Sequence, residues 1–165
     1  MMPDYIKRRA LAAVLATAVA VPAEGLRRVA YYDPPGVLTV CYGHTGDDVV
    51  KGRTYSHDEC KALLTKDMAD AIAMVDACQP GLPPHVLAAF GDAAYNMGPT
   101  IACNTKASTA ARMLKAGDIV GACNQLPRWD KARVAGVMVT LPGLTKRRAV
   151  GKHLCLTGEV PAWPT

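Results

Sequence analysis

The sequence predicts an α+β fold, predominantly helical, in which a small β-hairpin lobe precedes a larger helical lobe. Its 165 residues suffice for one domain with a proper core, but not for two independent domains of ordinary size. Half of the residues are hydrophobic and only 5% are aromatic, so the core must consist of Ala, Val, Leu and Met, which favours helices. Short β-forming runs occur within residues 29–42, and helical periodicity follows them.

The charge of the chain limits its partners. The formal net charge is +5, which favours anionic partners. However, Lys and Arg are scattered, and no basic stripe alternates with aromatic residues as it does on nucleic-acid-binding surfaces. We therefore expect an anionic cell wall or membrane as the partner, and no nucleic acid. Nothing in the sequence points to a cofactor or an obligate oligomer, so we expect a monomer.

The cysteines indicate disulfide bonds in an oxidising compartment. Their number is even, and none of them has the C-x-x-C spacing of a zinc site, so we expect no metal. Spacing alone leaves the pairing open. The six residues are Cys41, Cys60, Cys78, Cys103, Cys123 and Cys155.

The N-terminal segment has the pattern of an export signal. Lys7, Arg8 and Arg9 precede fourteen uncharged, mostly small apolar residues, 10–23. A spanning helix needs about 20 apolar residues, so this segment is a weak membrane anchor. The basic flank predicts a cytoplasmic N-terminus with the rest of the chain carried into the periplasm.

Three interpretations of residues 1–23 remain open at this point. The segment is a retained anchor that enters the inner membrane through residues 10–23 and later leaves it, or a signal peptide cleaved after Val21-Pro22-Ala23. The third interpretation is a buried, Ala-rich first helix. Where the segment is retained, Pro22 should bend or stop the helix near Glu24. A catalytic domain would then cover residues 24–165.

The β-hairpin lobe should occupy residues 24–56 approximately. Runs at 29–32 and 37–42 flank an Asp-Pro-Pro-Gly turn and predict two strands. Ser56 and Glu59 form a capping box for a helix over residues 57–77, which begins the helical lobe, about 57–165. Cys60 lies on the apolar stripe of that helix, where Cys41 is the best geometric partner.

Four further helices are expected in the helical lobe. The first runs through Leu87 to Met97 and is closed by Gly98 and Pro99. Residues 107–116 form the second, and Asp118 caps a short third helix that continues to Leu126. The last covers residues 144–156.

Two carboxylates give the sequence its candidate chemistry. Glycoside hydrolysis needs one acid that protonates the leaving oxygen and a second carboxylate that acts on water or on the sugar. Glu24 at a helix end and Asp33 in a hairpin turn could supply these groups. Taken singly, a residue like Glu24 is more often a solvated helix end, one like Asp33 is more often a turn starter, and Thr39 is an ordinary strand residue.

The spacing of these residues resembles a known family. Glu24, eight residues, Asp33, five residues and Thr39, followed by "CYGHT", resemble the catalytic signature of the phage-type lysozymes, the endolysins of glycoside hydrolase family 24. The resemblance continues through "YSHDECKALLTKDM", "AAYNMGPT", "STAARMLKAGDIVGACNQLPRW" and "LPGLTKRRAVGKHLC", so it covers residues 24 to about 156. It implies a lysozyme-like fold.

The resemblance also implies an activity and a role for each matched residue. The expected reaction is hydrolysis of the bond between N-acetylmuramic acid and N-acetylglucosamine in bacterial peptidoglycan, with inversion. Glu24 would be the general acid, Asp33 the base or stabiliser for the attacking water, and Thr39 a hydroxyl that holds this water. A lytic transglycosylase and an inactive, cationic wall-binding protein are the alternatives.

Four further residues match family positions outside the catalytic signature. His44 and Asp67 match a structural ion pair. Asn96 matches a cleft-lining amide, although a helix-end cap explains it equally well. Arg147 matches a cationic position near the cleft, where an interdomain ion pair is favoured over substrate binding.

The resemblance narrows two of the open questions. The expected disulfides are Cys41–Cys60, Cys78–Cys103 and Cys123–Cys155. Because the apolar segment runs into Glu24 almost without a spacer, the chain resembles the signal-arrest-release endolysins, which wait in the inner membrane and become active after release. The segment has no cysteine, so we expect release to control topology without disulfide exchange.

Overall fold

The structure, a computed structural model, describes all 165 residues and confirms the α+β prediction. It contains seven α-helices, a three-stranded antiparallel sheet and a two-stranded hairpin. The helices are α1 (Asp4–Glu24), α2 (His57–Cys78), α3 (Pro84–Met97), α4 (Thr100–Cys103), α5 (Thr109–Lys115), α6 (Ile119–Gln125) and α7 (Pro142–Thr157). The strands are β1 (Arg27–Tyr32), β2 (Leu38–Cys41), β3 (His44–Thr45), β4 (Lys131–Val134) and β5 (Val137–Thr140).

Helix α1 packs into the main hydrophobic core. Ala12, Ala16, Val19 and Ala20 are fully buried, and their small side chains allow close packing against α2 and α3. The helix ends at Glu24, as expected from Pro22 in its last turn. The N-terminal segment and the candidate acid therefore belong to one continuous helix, which is part of the protein core in this conformation.

The membrane-spanning potential of the helices is low. None of them combines the length and the apolar character needed to cross a bilayer.

The β-hairpin lobe is a sheet in the order β1-β2-β3. Strand β1 pairs with β2 through Tyr31 opposite Thr39, and the predicted turn at Asp33 connects them. The short strand β3 was not predicted. It pairs with β2 through Val40 opposite His44. A small second core of seven buried residues lies under the sheet and includes Tyr55 of the connection to α2 and Leu64 of α2 itself.

The helical lobe is built around α3. This helix is buried along most of its length and packs against α1, α2 and α7. The capping box at Ser56 and Glu59 is present at the start of α2, and the Asp118 side chain accepts a hydrogen bond from the Gly121 N–H at the start of α6. The predicted helix boundaries are within a few residues of those observed.

The β4–β5 hairpin was not predicted. Its two-residue turn, Ala135-Gly136, has positive φ angles of 48° and 83°, which suits the twist of a tight hairpin. All of its strand residues are exposed except Ala132, which is half-buried. A strand pair without a buried face lacks the apolar alternation on which the prediction of strands depends.

Three disulfides connect neighbouring elements. Cys41–Cys60 joins β2 to α2, Cys78–Cys103 joins α2 to α4, and Cys123–Cys155 joins α6 to α7. These are the pairs that the resemblance implies, and no cysteine is free.

Candidate active site

A cleft of about 550 Å³ lies between the two lobes. The end of α1, the Pro34-Pro35 turn and the end of α3 contribute to its walls, and so do the β4–β5 hairpin and the start of α7. The lining residues are Glu24, Pro34, Pro35, Asn96, Met97, Lys131, Ala132, Arg133, Val134, Met138, Leu141 and Leu144. A polymer that lies in this cleft would pass the Glu24 side chain.

Glu24 is held from two sides. Its Oε1 accepts a hydrogen bond from Arg147, and its Oε2 lies against Gly43 in the β2–β3 turn. Gly43 has a φ of 86°, and a Cβ atom at this position would stand only 3.3 Å from Oε2, so a side chain here would crowd the carboxyl group. The Glu24 side chain remains 21% exposed, which leaves it accessible from the cleft.

Glu24 belongs to a buried network of charged side chains. Arg147 donates to Asp92 from Nε and Nη2, the latter at 2.7 Å, and to Glu24 from Nη1. The Arg147 side chain is 3% exposed and the Asp92 side chain is fully buried. Burial opposes the charge on Arg147, but the Asp92 carboxylate outweighs this effect and raises the pKa of Arg147. Arg147 thus forms ion pairs with both Asp92 and Glu24, and its burial leaves little of it exposed to the cleft.

Asp33 and Thr39 meet at the base of the hairpin turn. Asp33 Oδ1 accepts from the Val37 N–H at 2.7 Å, and the Thr39 hydroxyl lies 3.4 Å from Asp33 Oδ2. The Asp-Pro-Pro-Gly turn fixes this arrangement, because the Gly36 N–H also donates to the Asp33 carbonyl oxygen at 2.8 Å. The two residues that follow Asp33 line the same cleft as Glu24.

Asn96 lines the cleft near the end of α3. Its Oδ1 accepts from Arg148, whereas the end of α3 is closed by a hydrogen bond from the Gly98 N–H to the Ala94 carbonyl oxygen. The structure therefore gives no support to the alternative that Asn96 caps the helix. Arg148 is fully buried, and burial lowers its pKa to about 10.

His44 and Asp67 connect the β-hairpin lobe to α2. His44 Nδ1 lies 2.6 Å from Asp67 Oδ2, and Nε2 lies 3.1 Å from Asp48 Oδ1. Burial alone would lower the pKa of His44, but the hydrogen bonds to Asp67 and Asp48 outweigh it and raise the pKa. This pair lies outside the cleft lining and stabilises the junction between the lobes.

Several residues at the site were not found from the sequence. Asp92 lies in the apolar run "VLAAFGDAAY", and a charge in the middle of such a run indicates a buried ion pair. Tyr95 donates from its hydroxyl to the Tyr42 carbonyl oxygen and so links α3 to the β-hairpin lobe. Lys131 and Arg133 line the cleft from a hairpin that no sequence pattern predicted.

The arrangement suits acid-base chemistry on a polymer that lies in the cleft. Glu24 is partly exposed and lines the cleft, whereas Asp33 and the buried Thr39 are not among the lining residues. Asp33 begins the turn whose Pro34 and Pro35 form part of the cleft wall. No group of three or more His, Cys, Asp or Glu side chains is arranged to hold a metal ion.

Known proteins are similar to this chain in sequence. The phage lysozyme family model matches residues 21–150. The SAR-endolysin of bacteriophage PS119 is 42% identical over 137 residues, which cover 82% of this chain and 78% of the relative. The SAR-endolysin of enterobacteria phage P21 is 36% identical over 171 residues and covers 96% of this chain and 99% of the relative.

Solved structures extend the match to three dimensions. An endolysin from Escherichia coli O157:H7 phage FAHEc1 superposes with a TM-score of 0.76 at 28% identity, over 89% of this chain and 93% of that chain. The active form of the P1 phage endolysin Lyz gives a TM-score of 0.74 at 27% identity, over 87% of this chain and 84% of that chain. The lysozyme-like fold is therefore confirmed. The chain belongs to the phage lysozyme family, whose members are glycoside hydrolases that lyse bacterial peptidoglycan.

Proposed function

We propose that the protein is an endolysin muramidase that hydrolyses the β-1,4 bond between N-acetylmuramic acid and N-acetylglucosamine and so lyses the bacterial host. The observation that carries this proposal is that Glu24 lines the cleft and that Asp33, next to Thr39, begins the turn whose prolines line the same cleft. A muramidase needs this combination of an acid and a second carboxylate.

Glu24 would donate its proton to the glycosidic oxygen. Asp33 would accept a proton from the attacking water or stabilise the charge that develops on the sugar, and Thr39 would help to hold the water. Inversion of the anomeric centre is the outcome expected of such a water-mediated attack. Arg147 would position Glu24, since Asp92 already holds the guanidinium in place.

The proposal includes export and a membrane-tethered stage. The two relatives described above are named SAR-endolysins, and in this chain a basic flank precedes fourteen uncharged residues. The segment 10–23 would insert weakly in the inner membrane, with the body in the periplasm, and would then leave the bilayer. In the conformation described here the same segment is part of the protein core. Cysteines are absent from residues 1–40, so release would proceed without thiol exchange.

The muramidase activity can be tested by mass spectrometry of fragments released from purified peptidoglycan. The full-length, oxidised protein should release muropeptides with reducing ends, and Glu24→Gln and Asp33→Asn should each lower the rate by about a hundredfold or more. Asp58→Asn, which changes an exposed carboxyl group at the start of α2, is the matched control and should leave the rate unchanged. Anhydro ends would identify a lytic transglycosylase. A folded protein that releases no fragments would indicate a wall-binding role.

A further inference from the structure

Arg148 is a buried cation with few partners. Its side chain is 1% exposed and lies between α7 and α3. Nη2 donates to Asn96 Oδ1, Nη1 stands 3.6 Å from Asp92 Oδ2, and Nε has no hydrogen-bond partner. Asp92 is meanwhile occupied by Arg147. The Asn96 amide oxygen is thus the main hydrogen-bond acceptor that Arg148 meets.

This contact dictates which way the Asn96 amide points. A guanidinium has only donors, so an amide beside it must present its oxygen, because an NH₂ group in that place would set donor against donor. The Asn96 NH₂ group is then directed away from Arg148. Asn96 is half-buried and lines the cleft, so its NH₂ group is the part of the side chain left to meet a ligand.

We infer that Arg148 is a positioning residue: it orients the Asn96 side chain so that the NH₂ group of Asn96 faces the cleft. There the NH₂ group would donate a hydrogen bond to a carbonyl oxygen of the glycan. Both sugars of peptidoglycan carry an N-acetyl group whose carbonyl oxygen is such an acceptor. The inference deepens the proposed function and rests on it for the identity of the ligand. It also gives a role to the buried Arg148 guanidinium, whose removal from water is energetically unfavourable.

Asn96→Asp tests the inference without removing the partner of Arg148. The carboxylate keeps an oxygen for Arg148, so the melting temperature should be unchanged or higher, but the N–H donor is lost. The probe is the hexasaccharide of N-acetylglucosamine, titrated calorimetrically into full-length protein that carries Glu24→Gln. Asn96→Asp should raise the Kd about fivefold to tenfold. Asn124→Asp, the same change at an exposed site on α6, should leave the Kd unchanged. An unchanged or lower Kd for Asn96→Asp would overturn the inference.

The role of Arg148 itself is tested by repeating Asn96→Asp in an Arg148→Met background. If Arg148 fixes the amide, the Asn96→Asp change should raise the Kd less in this background than in the parent. An equal effect in both backgrounds would show that Asn96 acts without Arg148 and would overturn the positioning role. If Arg148→Met does not fold, Arg148→Lys serves in its place, because one ammonium group cannot reproduce the fork of donors.

A spectroscopic measurement separates this inference from the proposed reaction. In a ¹⁵N-labelled Glu24→Gln protein, the Asn96 side-chain amide signals can be assigned by their loss in Asn96→Asp. They should shift when the hexasaccharide is added, and signals that stay in place while backbone signals shift would contradict the inference. Failure of the wild-type protein to release reducing ends would overturn the muramidase proposal without affecting this binding result.

Discussion

The position of the Glu24 side chain at the cleft depends on a few buried charged residues. Asp92 is a fully buried carboxylate in an apolar helix, a placement that is costly unless the charge is paired. Arg147 supplies the pairing and also donates from Nη1 to Glu24. The position of the Glu24 side chain therefore depends on Asp92, which holds Arg147 from 55 positions away along the chain and lies on a different helix from Glu24.

His44 gives a residue-level prediction about pH. Its pKa is raised above the ordinary value of 6.5, so the folded state favours the protonated ring. The resulting stabilisation is fully present below pH 6.5 and is lost as the pH rises through the folded-state pKa. We expect the loss in unfolding free energy caused by His44→Gln to be larger at about pH 5.5 than at about pH 8.5, as measured by urea denaturation.

The matched control for this prediction is His57→Gln. His57 is exposed at the start of α2, so its effect on unfolding should be small at both pH values. An effect of His44→Gln that stays constant, or grows with pH, would contradict the assignment of Asp67 and Asp48 as partners that stabilise the charged ring.

At the scale of elements, the basic residues that precede the apolar N-terminal segment also connect α1 to α2. Arg8 and Arg9 of α1 donate to the two carboxylate oxygens of Asp76 on α2, each at 2.6 Å, and Arg8 also donates to the Leu82 carbonyl oxygen. The Asp76 side chain is 5% exposed. Burial alone would raise the pKa of Asp76, but the hydrogen bonds from Arg9 and Arg8 outweigh it and hold the pKa below its usual value.

Asp76→Asn should therefore loosen the first turns of α1. The amide retains one acceptor where the carboxylate offered two charged ones, so the free energy of unfolding should fall by about 1.5 to 3 kcal/mol. Amide hydrogen exchange should become faster in residues 4–12 and remain unchanged in the β-hairpin lobe. Asp70→Asn, which breaks an exposed pair with Lys66 on the same helix, should cost less than about 1 kcal/mol. Equal effects of the two substitutions would disprove a special role for Asp76.

At the scale of the whole molecule, the sequence predicted features that depend on residues close together in the chain, but not the contacts between distant charged side chains. The capping box at Ser56 and Glu59 predicted α2 because it acts within one turn. The pairing of Asp92 with Arg147 was missed because it depends on how two distant helices pack. The β4–β5 hairpin was missed because its side chains face solvent and follow no burial pattern. The Ala-rich stripe of α1 fits both a weak anchor and a core helix, so composition alone left its state open.

The fate of residues 1–23 is the property of the whole molecule that the fold addresses most directly. If a signal peptidase removed them, the core would lose Ala12, Ala16, Val19 and Ala20, and Glu24 would lose the helix that positions it. Burial of these side chains contributes several kcal/mol, which is comparable to the net stability of a domain of this size. We therefore expect the active, soluble form to retain the segment.

Two measurements check this last prediction. The intact mass of the active protein recovered from the periplasm should correspond to the full-length chain. A chain of residues 24–165, exported with an unrelated cleavable leader, should show no cooperative thermal transition and no lytic activity, because the surfaces of α2 and α3 that α1 covers would be exposed. A chain that lacks only Met1 to Pro3, which are exposed, should behave as the full-length protein does. Cooperative unfolding of 24–165 with undiminished activity would instead favour cleavage and would show that α1 is dispensable for the catalytic domain.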